Sequence, residues 1–287
     1  MNAWAAHQCA NNVQSKDYRS EFGPHRAQVT SLLLRPSASR ARLCILGAGN
    51  CNDLELDTLL RAYREIHLVD LDAQALAHGL AQQGFEGEAR IHCYGDTDVS
   101  GLLEEMTRWG ASSIPDEELV ACIEAPVRQM RALLPGPFEV VASTCLLSQL
   151  MHAVVRHAGE GHPRFLPLLQ ALRTGHLRLL AGLAAGGGTG VLVSDIVSSD
   201  SAPHLGSVPP DALPAALAQL VQARNFFHGL NPAVITSIFR SDPVIAPAMA
   251  ELQTAAPWLW SFGPRTYAVC AWTFRKCASD FKGAARR

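Results

Sequence analysis

Short apolar runs alternating with stretches of helical periodicity set the pattern of this chain from residue 42 onward. Five of these runs, Leu43–Leu46, Ile66–Asp70, Ala89–Tyr94, Phe138–Ala142 and Gly190–Asp195, are short enough and well enough bounded by turn formers to be buried strands. Between the third and fourth, Leu102, Leu103 and Met106, then Leu119, Ile123, Val127, Met130 and Leu133, recur at helical spacing, with Asp116 as the cap of the second helix. Pro209 to Phe227 reads as another helix, closed near Gly229. Strands alternating with helices predict a parallel sheet covered on both faces: an α/β, Rossmann-like, doubly wound fold. Trp258–Phe262 and Tyr267–Arg275, joined by Gly263-Pro264, add a C-terminal antiparallel hairpin. Residues 1–40 are expected to be an N-terminal cap, with an amphipathic run Ala27 to Leu34 that Pro36 stops. Residues 41–287 then form one domain with helical insertions at about 98–137 and 200–256.

Composition narrows the class. The 287 residues are 48% hydrophobic and 17% charged, enough for a large buried core and incompatible with a disordered tail protein. With 24 basic and 26 acidic side chains the net charge is −2, so neither nucleic acid nor a membrane surface is an expected partner; a small molecule is. The most apolar window, Leu179 to Val197, is interrupted by Gly186-Gly187-Gly188 and Asp195, which suits helix, turn and strand better than a membrane span. The N-terminus lacks the pattern of a secretory leader, and the eight cysteines contain no CxxC pair, so reduced thiols and a cytoplasmic location are expected.

The loop after the first strand carries the chemistry. Cys44 to Leu56 reads as a strand, a turn Gly47-Ala48-Gly49-Asn50, and then a helix. The glycines let backbone approach a bulky ligand. Twenty-one residues after Gly49, the second strand ends in Asp70, followed by Leu71, where a carboxylate accepts both hydroxyls of a ribose. The position that carries a third glycine in dinucleotide folds is Asn52, and Asp53 at the helix start repels a diphosphate but attracts an ammonium group. A cationic nucleoside, S-adenosyl-L-methionine, meets these conditions. The third strand closes in Asp96-Thr97, where Asp96 either accepts from an adenine amine or caps the next helix. The fourth closes in Ser143-Thr144-Cys145, beside the expected methyl-transfer zone or as turn residues.

On these residues the chain resembles the class I S-adenosylmethionine-dependent methyltransferases of small-molecule type, over about Leu43 to Asp195 and the closing hairpin. The resemblance implies that Gly47, Gly49 and Asn50 form the glycine-rich motif, Asp70 and Leu71 hold the ribose, Asp96 and Thr97 the adenine, and Ser143 follows the fourth strand. Two positions depart from the family pattern: Ile45 stands where an acid is usual and Cys51 where the third glycine of GxGxG is usual, leaving Asp53 as the contact for the methionine amino group.

The fourth strand reads Ala142-Ser143-Thr144-Cys145-Leu146-Leu147, without the Asp/Asn-Pro-Pro-Tyr turn of DNA and protein amide N-methyltransferases or the aspartate of polyamine synthases. No carboxylate cluster beyond Asp195 suggests magnesium, so no metal is expected. A histidine base would assist an oxygen or ring-nitrogen acceptor, and the candidates are His152, His204 and His228. Tyr18 and Phe22 are candidates for a lid over the cofactor, the other reading being that they dock on the domain. Cys145, Gln149, Asn225, Phe226 and Phe227 are the candidate substrate contacts, although the last three also suit a helix end packed on the core. The expectation is methyl transfer to O or N of a small aromatic or heterocyclic metabolite, in specialised metabolism. Two rivals stay open: an NAD-dependent oxidoreductase on the same sheet, and a protein that binds S-adenosylmethionine without methylating.

Overall fold

The computed structural model describes residues 3–35, 41–109 and 113–278; the break expected at Pro36 lies outside them. Its strands are β1 (Ala41–Leu46), β2 (Tyr63–Val69), β3 (Ile91–Tyr94), β4 (Phe138–Thr144), β5 (Ala184–Ser198), β6 (Met249–Thr254), β7 (Trp258–Phe262) and β8 (Arg265–Lys276). Its helices are α1 (Ala3–Ser15), α2 (Gly23–Leu34), α3 (Leu56–Ala62), α4 (Ala73–Gln83), α5 (Leu103–Met106), α6 (Asp116–Leu133), α7 (Leu146–His157), α8 (Phe165–Leu183), α9 (Leu213–Gln222) and α10 (Pro232–Ser241). Asp116, expected as a cap, is the first residue of α6 and pairs with Arg164 instead. No described helix is long and apolar enough to cross a membrane.

All eight strands join one sheet in the order β3-β2-β1-β4-β5-β8-β6, with β7 also paired to β8. The five strands from β3 to β5 are parallel, and the connection reverses between β1 and β4, whose partners include Cys44 and Val141. This is the switch point where open α/β sheets bind ligands. The fold is therefore Rossmann-like. Beside β5, β8 runs antiparallel from Thr189↔Arg275 to Ser198↔Tyr267. Its other edge is covered by β6 and then β7, separated by Ala255-Ala256-Pro257, since a proline has no N–H for the ladder.

The stretch Met249–Thr254, expected within a helical insertion, is a strand. Only Met249 and Leu252 in it are even half-buried, so this edge strand has no apolar run to reveal it. On one face of the sheet, Val29, Leu32 and Leu33 of α2 and Leu59 of α3 pack on Leu43, Ile45, Val140 and Val191. On the other, α6, α7, α8 and α10 bury Met130, Val154, Leu172, Leu180 and Phe239 against Cys44, Leu46, Val141 and Phe274. Of the N-terminal segment, α2 is thus a core helix, and α1 lies across the strand ends.

Candidate functional site

Loops at the carboxyl ends of β1 to β4 enclose a crevice lined by Gly47, Gly49, Asp70, Leu71, Thr97, Asp98, Val99, Leu146, Gln149 and Leu150, with Gln8 and Asn12 of α1 across its mouth. Gly47 and Gly49 have φ of 78° and 47°. A Cβ on Gly47 would stand 2.8 Å from Leu146, and one on Gly49 3.1 Å from Asn12, so one wall is bare backbone. Asp70 holds that wall in place: Oδ2 accepts from the Gly49 N–H at 2.7 Å and Oδ1 from the Asp72 N–H at 2.9 Å. Burial raises its carboxyl to about 6 against the opposing pull of these bonds. Gly49, Asp72 and Leu71 are its backbone donors, and a carboxylate has about four lone-pair sites, so acceptor capacity remains for a ligand. Among the described residues, no lysine or arginine lines the crevice.

The helix expected directly after the glycine turn begins only at Leu56. The intervening residues form successive turns, with Cys51 N–H donating to Ala48 at 2.8 Å and Leu54 N–H to Cys51 at 3.2 Å, and side chains from the N-terminal segment hold them. Arg19 donates to the carbonyls of Cys51 (3.1 Å) and Leu54 (3.3 Å), and Arg26 to that of Asn52 (3.0 Å), so these acceptors are occupied. Asn50, expected at the cofactor, is buried and donates to the Asn12 carbonyl at 2.7 Å, and Asn52 donates to that of Ser15 at 2.8 Å. Both therefore fasten α1. Asp53 is not at a helix start and does not line the crevice; its carboxylate faces His25, with Oδ1 3.5 Å from Nε2. The assignment to an ammonium group is corrected accordingly.

Other expected residues divide in the same way. Gly47, Gly49, Asp70, Leu71, Thr97 and Gln149 line the crevice, whereas Ala48 is buried and donates from its N–H to Val69. Ser143 is bonded beneath the sheet to His176 of α8 at 2.8 Å, a histidine whose burial lowers it to about 4, and so is not available to a ligand. Thr144 reaches only the Gly47 carbonyl, at 3.4 Å. Cys145 is buried in the turn before α7 at φ 49°, and burial raises its thiol. Asp96 is exposed at φ 51°; the carboxylate that follows β3 into the crevice is Asp98, whose oxygens accept from the N–H groups of Ser100, Leu102 and Leu103 and so cap α5.

Tyr18 and Phe22 do not cover the crevice. Their rings stand edge-on to Phe262 (5.1 Å) and Trp260 (5.0 Å), docking α2 onto β7, because that face offers aromatic area to bury. The three histidine candidates also lie outside the crevice lining. His152 is exposed on α7 with its ring 5.9 Å from that of His7, His204 is exposed before a short 3-10 turn, and His228 pairs with Glu160 at 3.2 Å on the surface. Asn225 donates to the Ser201 carbonyl at 2.8 Å, while Phe226 and Phe227 pack on the core, so this segment is the packed helix end.

The histidine that sequence reasoning missed is His25, fully buried on α2. Its Nδ1 accepts from the Trp258 indole N–H at 3.0 Å, and its ring stacks on Trp260 at 4.6 Å. Asp195 of β5 lies nearby, raised by burial and accepting from the Ser148 hydroxyl at 2.5 Å. A signal was present: His25, Val29, Leu32 and Leu33 fall at i, i+4, i+7 and i+8, the spacing of one buried helix face.

No family model and no curated protein matches the chain. Among solved structures it is similar to the N-methyltransferase NodS from Bradyrhizobium japonicum WM9, at 12% identity over 90% of this chain and 97% of that one, with a TM-score of 0.44. It is similar to the YcgJ protein from Bacillus subtilis at 10% identity, over 88% and 100%, with a TM-score of 0.44. An O-methyltransferase family protein from Burkholderia thailandensis gives 14% identity over 95% and 60%, again with a TM-score of 0.44. Likeness at this level adds nothing to the strand order already described.

Proposed function

We propose that the protein is an S-adenosylmethionine-dependent methyltransferase acting on O or N of a small, aromatic or heterocyclic metabolite of specialised metabolism. The observation that carries this reading is a glycine loop anchored by Asp70 that does not run into a helix: α3 begins seven residues after Gly49, and the crevice holds Asp70 and Asp98 but no basic side chain. A pyrophosphate is bound by a helix N-terminus directly after the glycine turn, which is missing, so the oxidoreductase rival loses its phosphate site. The antiparallel β8 in the position after β5 points the same way, since the dinucleotide sheet continues with a parallel strand. All eight cysteines are free thiols, in keeping with a cytoplasmic protein.

In this reading Asp70 accepts from the ribose hydroxyls, Leu71, Val99, Leu146 and Leu150 flank the adenine, and the backbone of Gly47 to Gly49 faces the methionyl end. When bound, the cofactor supplies a methyl group on a sulfonium. The chain's part is to hold the acceptor in line with that group and to keep water out. Helix α1 supplies the second of these: Asn12 donates to Asp72 at 3.1 Å, and the amides of Asn50 and Asn52 hold its end. Gln8 and Asn12 of α1 stand across the mouth of the crevice, so in this reading the helix swings aside to admit a nucleoside.

Titration calorimetry with S-adenosylhomocysteine and with NAD tests the reading. Binding of the first and not the second is expected; binding of NAD alone overturns it. Mass spectrometry of a cell extract supplied with methyl-deuterated cofactor then separates a methyltransferase from a protein that only binds it.

A further inference from the structure

At the β3 edge of the sheet, outside the crevice lining, two strands bring imidazole and carboxylate groups together. β3 is the terminal strand and pairs in parallel with β2, with His67 opposite His92 and Val69 opposite Tyr94. Side chains alternate along a strand, so Glu65 and His67 of β2 share one face with His92 and Tyr94 of β3. On that face Glu65 Oε2 lies 3.6 Å from His67 Nε2. One ligand atom from each of Glu65, His67 and His92 falls within 4.8 Å of the other two, and the imidazoles stack at 4.7 Å between centroids. His67 packs against Phe138 with its side chain 3% exposed, whereas Glu65 and His92 are half-buried, so the group opens to solvent on one side.

His67 Nε2 is buried and has no hydrogen-bond partner, 3.6 Å being too long for one. A buried polar nitrogen is rarely left so, and its surroundings say what completes it. The carboxylate of Glu65 is divided: Oε1 faces Arg64 at 3.2 Å, and Oε2 is turned to the histidine. The other ring nitrogen of His67, Nδ1, is joined to the Tyr94 hydroxyl at 3.2 Å. With Nδ1–H donating to that oxygen, the Nε2 lone pair opposes the lone pairs of Oε2, and a cation reconciles the two acceptors. The spacing suits an ion: two ligands about 2.1 Å from a tetrahedral metal stand about 3.4 Å apart, close to the 3.6 Å between Nε2 and Oε2. An ion pair of His67 with Glu65 would need no second imidazole, yet the strand register brings His92 to the same point.

We propose that Glu65, His67 and His92 form a binding site for a divalent transition metal of the zinc class, with two imidazole nitrogens and one carboxylate oxygen as ligands and the solvent side left for a water. Magnesium and calcium prefer all-oxygen sets, so the two imidazoles select against them. The role is structural. None of the three residues lines the crevice, and the ion ties the four-residue edge strand β3 to β2. Those strands run on into the crevice floor, where the Asp70 N–H donates to the Tyr94 carbonyl at 3.1 Å and the Thr97 N–H to that of Asp70 at 3.0 Å. The site is independent of what the crevice binds. Sequence reading expects no metal because it looks for gathered carboxylates, and this set forms only through the register of two strands.

The test uses the full chain, stripped with EDTA and titrated with zinc chloride and, separately, magnesium chloride, with nitrogen-15 NMR of the histidine rings. Zinc is expected to bind and to raise the melting temperature by several degrees, and magnesium to do neither. His92→Ala and Glu65→Gln, both at half-buried positions, should each weaken zinc by about a hundredfold, since even the outer partners of metal ligands are worth about ten- to a hundredfold. His204→Ala, at an exposed histidine elsewhere, should bind zinc as the native chain does. The ring spectra should place zinc on Nε2 of His67 and leave Nδ1 protonated. Should a variant fail to fold, the spectra of the native chain still decide. Zinc that does not bind, binding that survives both His92→Ala and Glu65→Gln, magnesium binding as tightly as zinc, or a His67 ring unmoved by zinc would each overturn the proposal.

Discussion

The two sides of the loop from Gly47 to Glu55 are built on opposite principles. Facing the crevice, every carboxylate has work within the protein: Asp70 accepts from Gly49 and Asp72, Asp72 accepts from Gln74, Ala75 and Asn12, and Asp98 caps α5. Facing the core, His25 Nε2 and Asp53 Oδ1 meet only as a long pair at 3.5 Å, and Asn52 Oδ1 has no hydrogen-bond partner. Satisfied acids fix the backbone before a ligand arrives, which lowers the ordering cost of binding. Unsatisfied groups do the opposite, and their position is stabilised only when something completes them. The crevice side is thus a preformed mould, and the core side a loosely paired seam between the loop and α2.

The largest effect expected from breaking this contrast is at Asp70. Asp70→Ala removes the acceptor for two backbone N–H groups as well as the ligand's anchor, so S-adenosylhomocysteine affinity should fall about a hundredfold or more. Melting temperature should drop by several degrees, because the loop is unmoored. Asp70→Asn keeps one acceptor and should soften both losses. Calorimetry and thermal melts read the two; unchanged affinity in Asp70→Ala would show that the crevice is not the cofactor site.

Next in size is a change of stability without a change of binding. Ser143→Ala strips the partner from His176 Nε2, and Nδ1 of that ring already lacks one. The expected penalty is about 1–3 kcal/mol. It should appear as a lower melting temperature with the same affinity for S-adenosylhomocysteine; a loss of affinity would return Ser143 to the cofactor. A pH scan sharpens the point. The buried ring is lowered to about 4 from 6.5, so the unfolded chain binds its proton first and stability falls as pH drops from about 6.5 through 4.

Why some of this was legible in the sequence and some not follows from range. Asp70 could be placed because a strand, a crossover and a parallel neighbour fix its distance from Gly49 whatever the rest of the chain does. The start of α3 could not, because it depends on Arg19 and Arg26 reaching carbonyls more than 25 residues away. Asn50 and Asn52 look like loop residues at a ligand and are in fact fasteners for α1, a distinction no local pattern carries. The closing hairpin was plain from its aromatic runs, while polar β6 was not. His25 was within reach through helical spacing; its partners from β7 and the loop were not.

A smaller effect belongs to the helix over the mouth. Asn12 gives its amide to Asp72, its carbonyl accepts from Asn50, and its Oδ1 lies over Gly49. Asn12→Ala removes one neutral donor to a carboxylate and should let α1 open more readily. Stopped-flow measurements should show S-adenosylhomocysteine entering and leaving about threefold faster, with little change in melting temperature. Identical rates would mean that α1 does not gate the crevice.

The smallest signal is also the most specific to the carboxylate of the mould. Without ligand, burial holds the Asp70 carboxyl at about 6, above its usual 3.8. Between those two values the folded chain binds more protons than the unfolded one, so this group's contribution to stability falls as pH rises through that window, opposite in sign to His176. Ribose hydroxyls that donate to the carboxylate favour its ionised form, so ligand binding should expel part of a proton near pH 6. Affinity should then weaken as pH falls below about 6. Calorimetry near pH 6 in two buffers of different ionisation enthalpy should give a release of about half a proton, vanishing by about pH 8 and absent in Asp70→Asn. Binding with no release at pH 6 would mean that the ligand leaves Asp70 untouched and that the acid serves only to hold Gly49 and Asp72 in place.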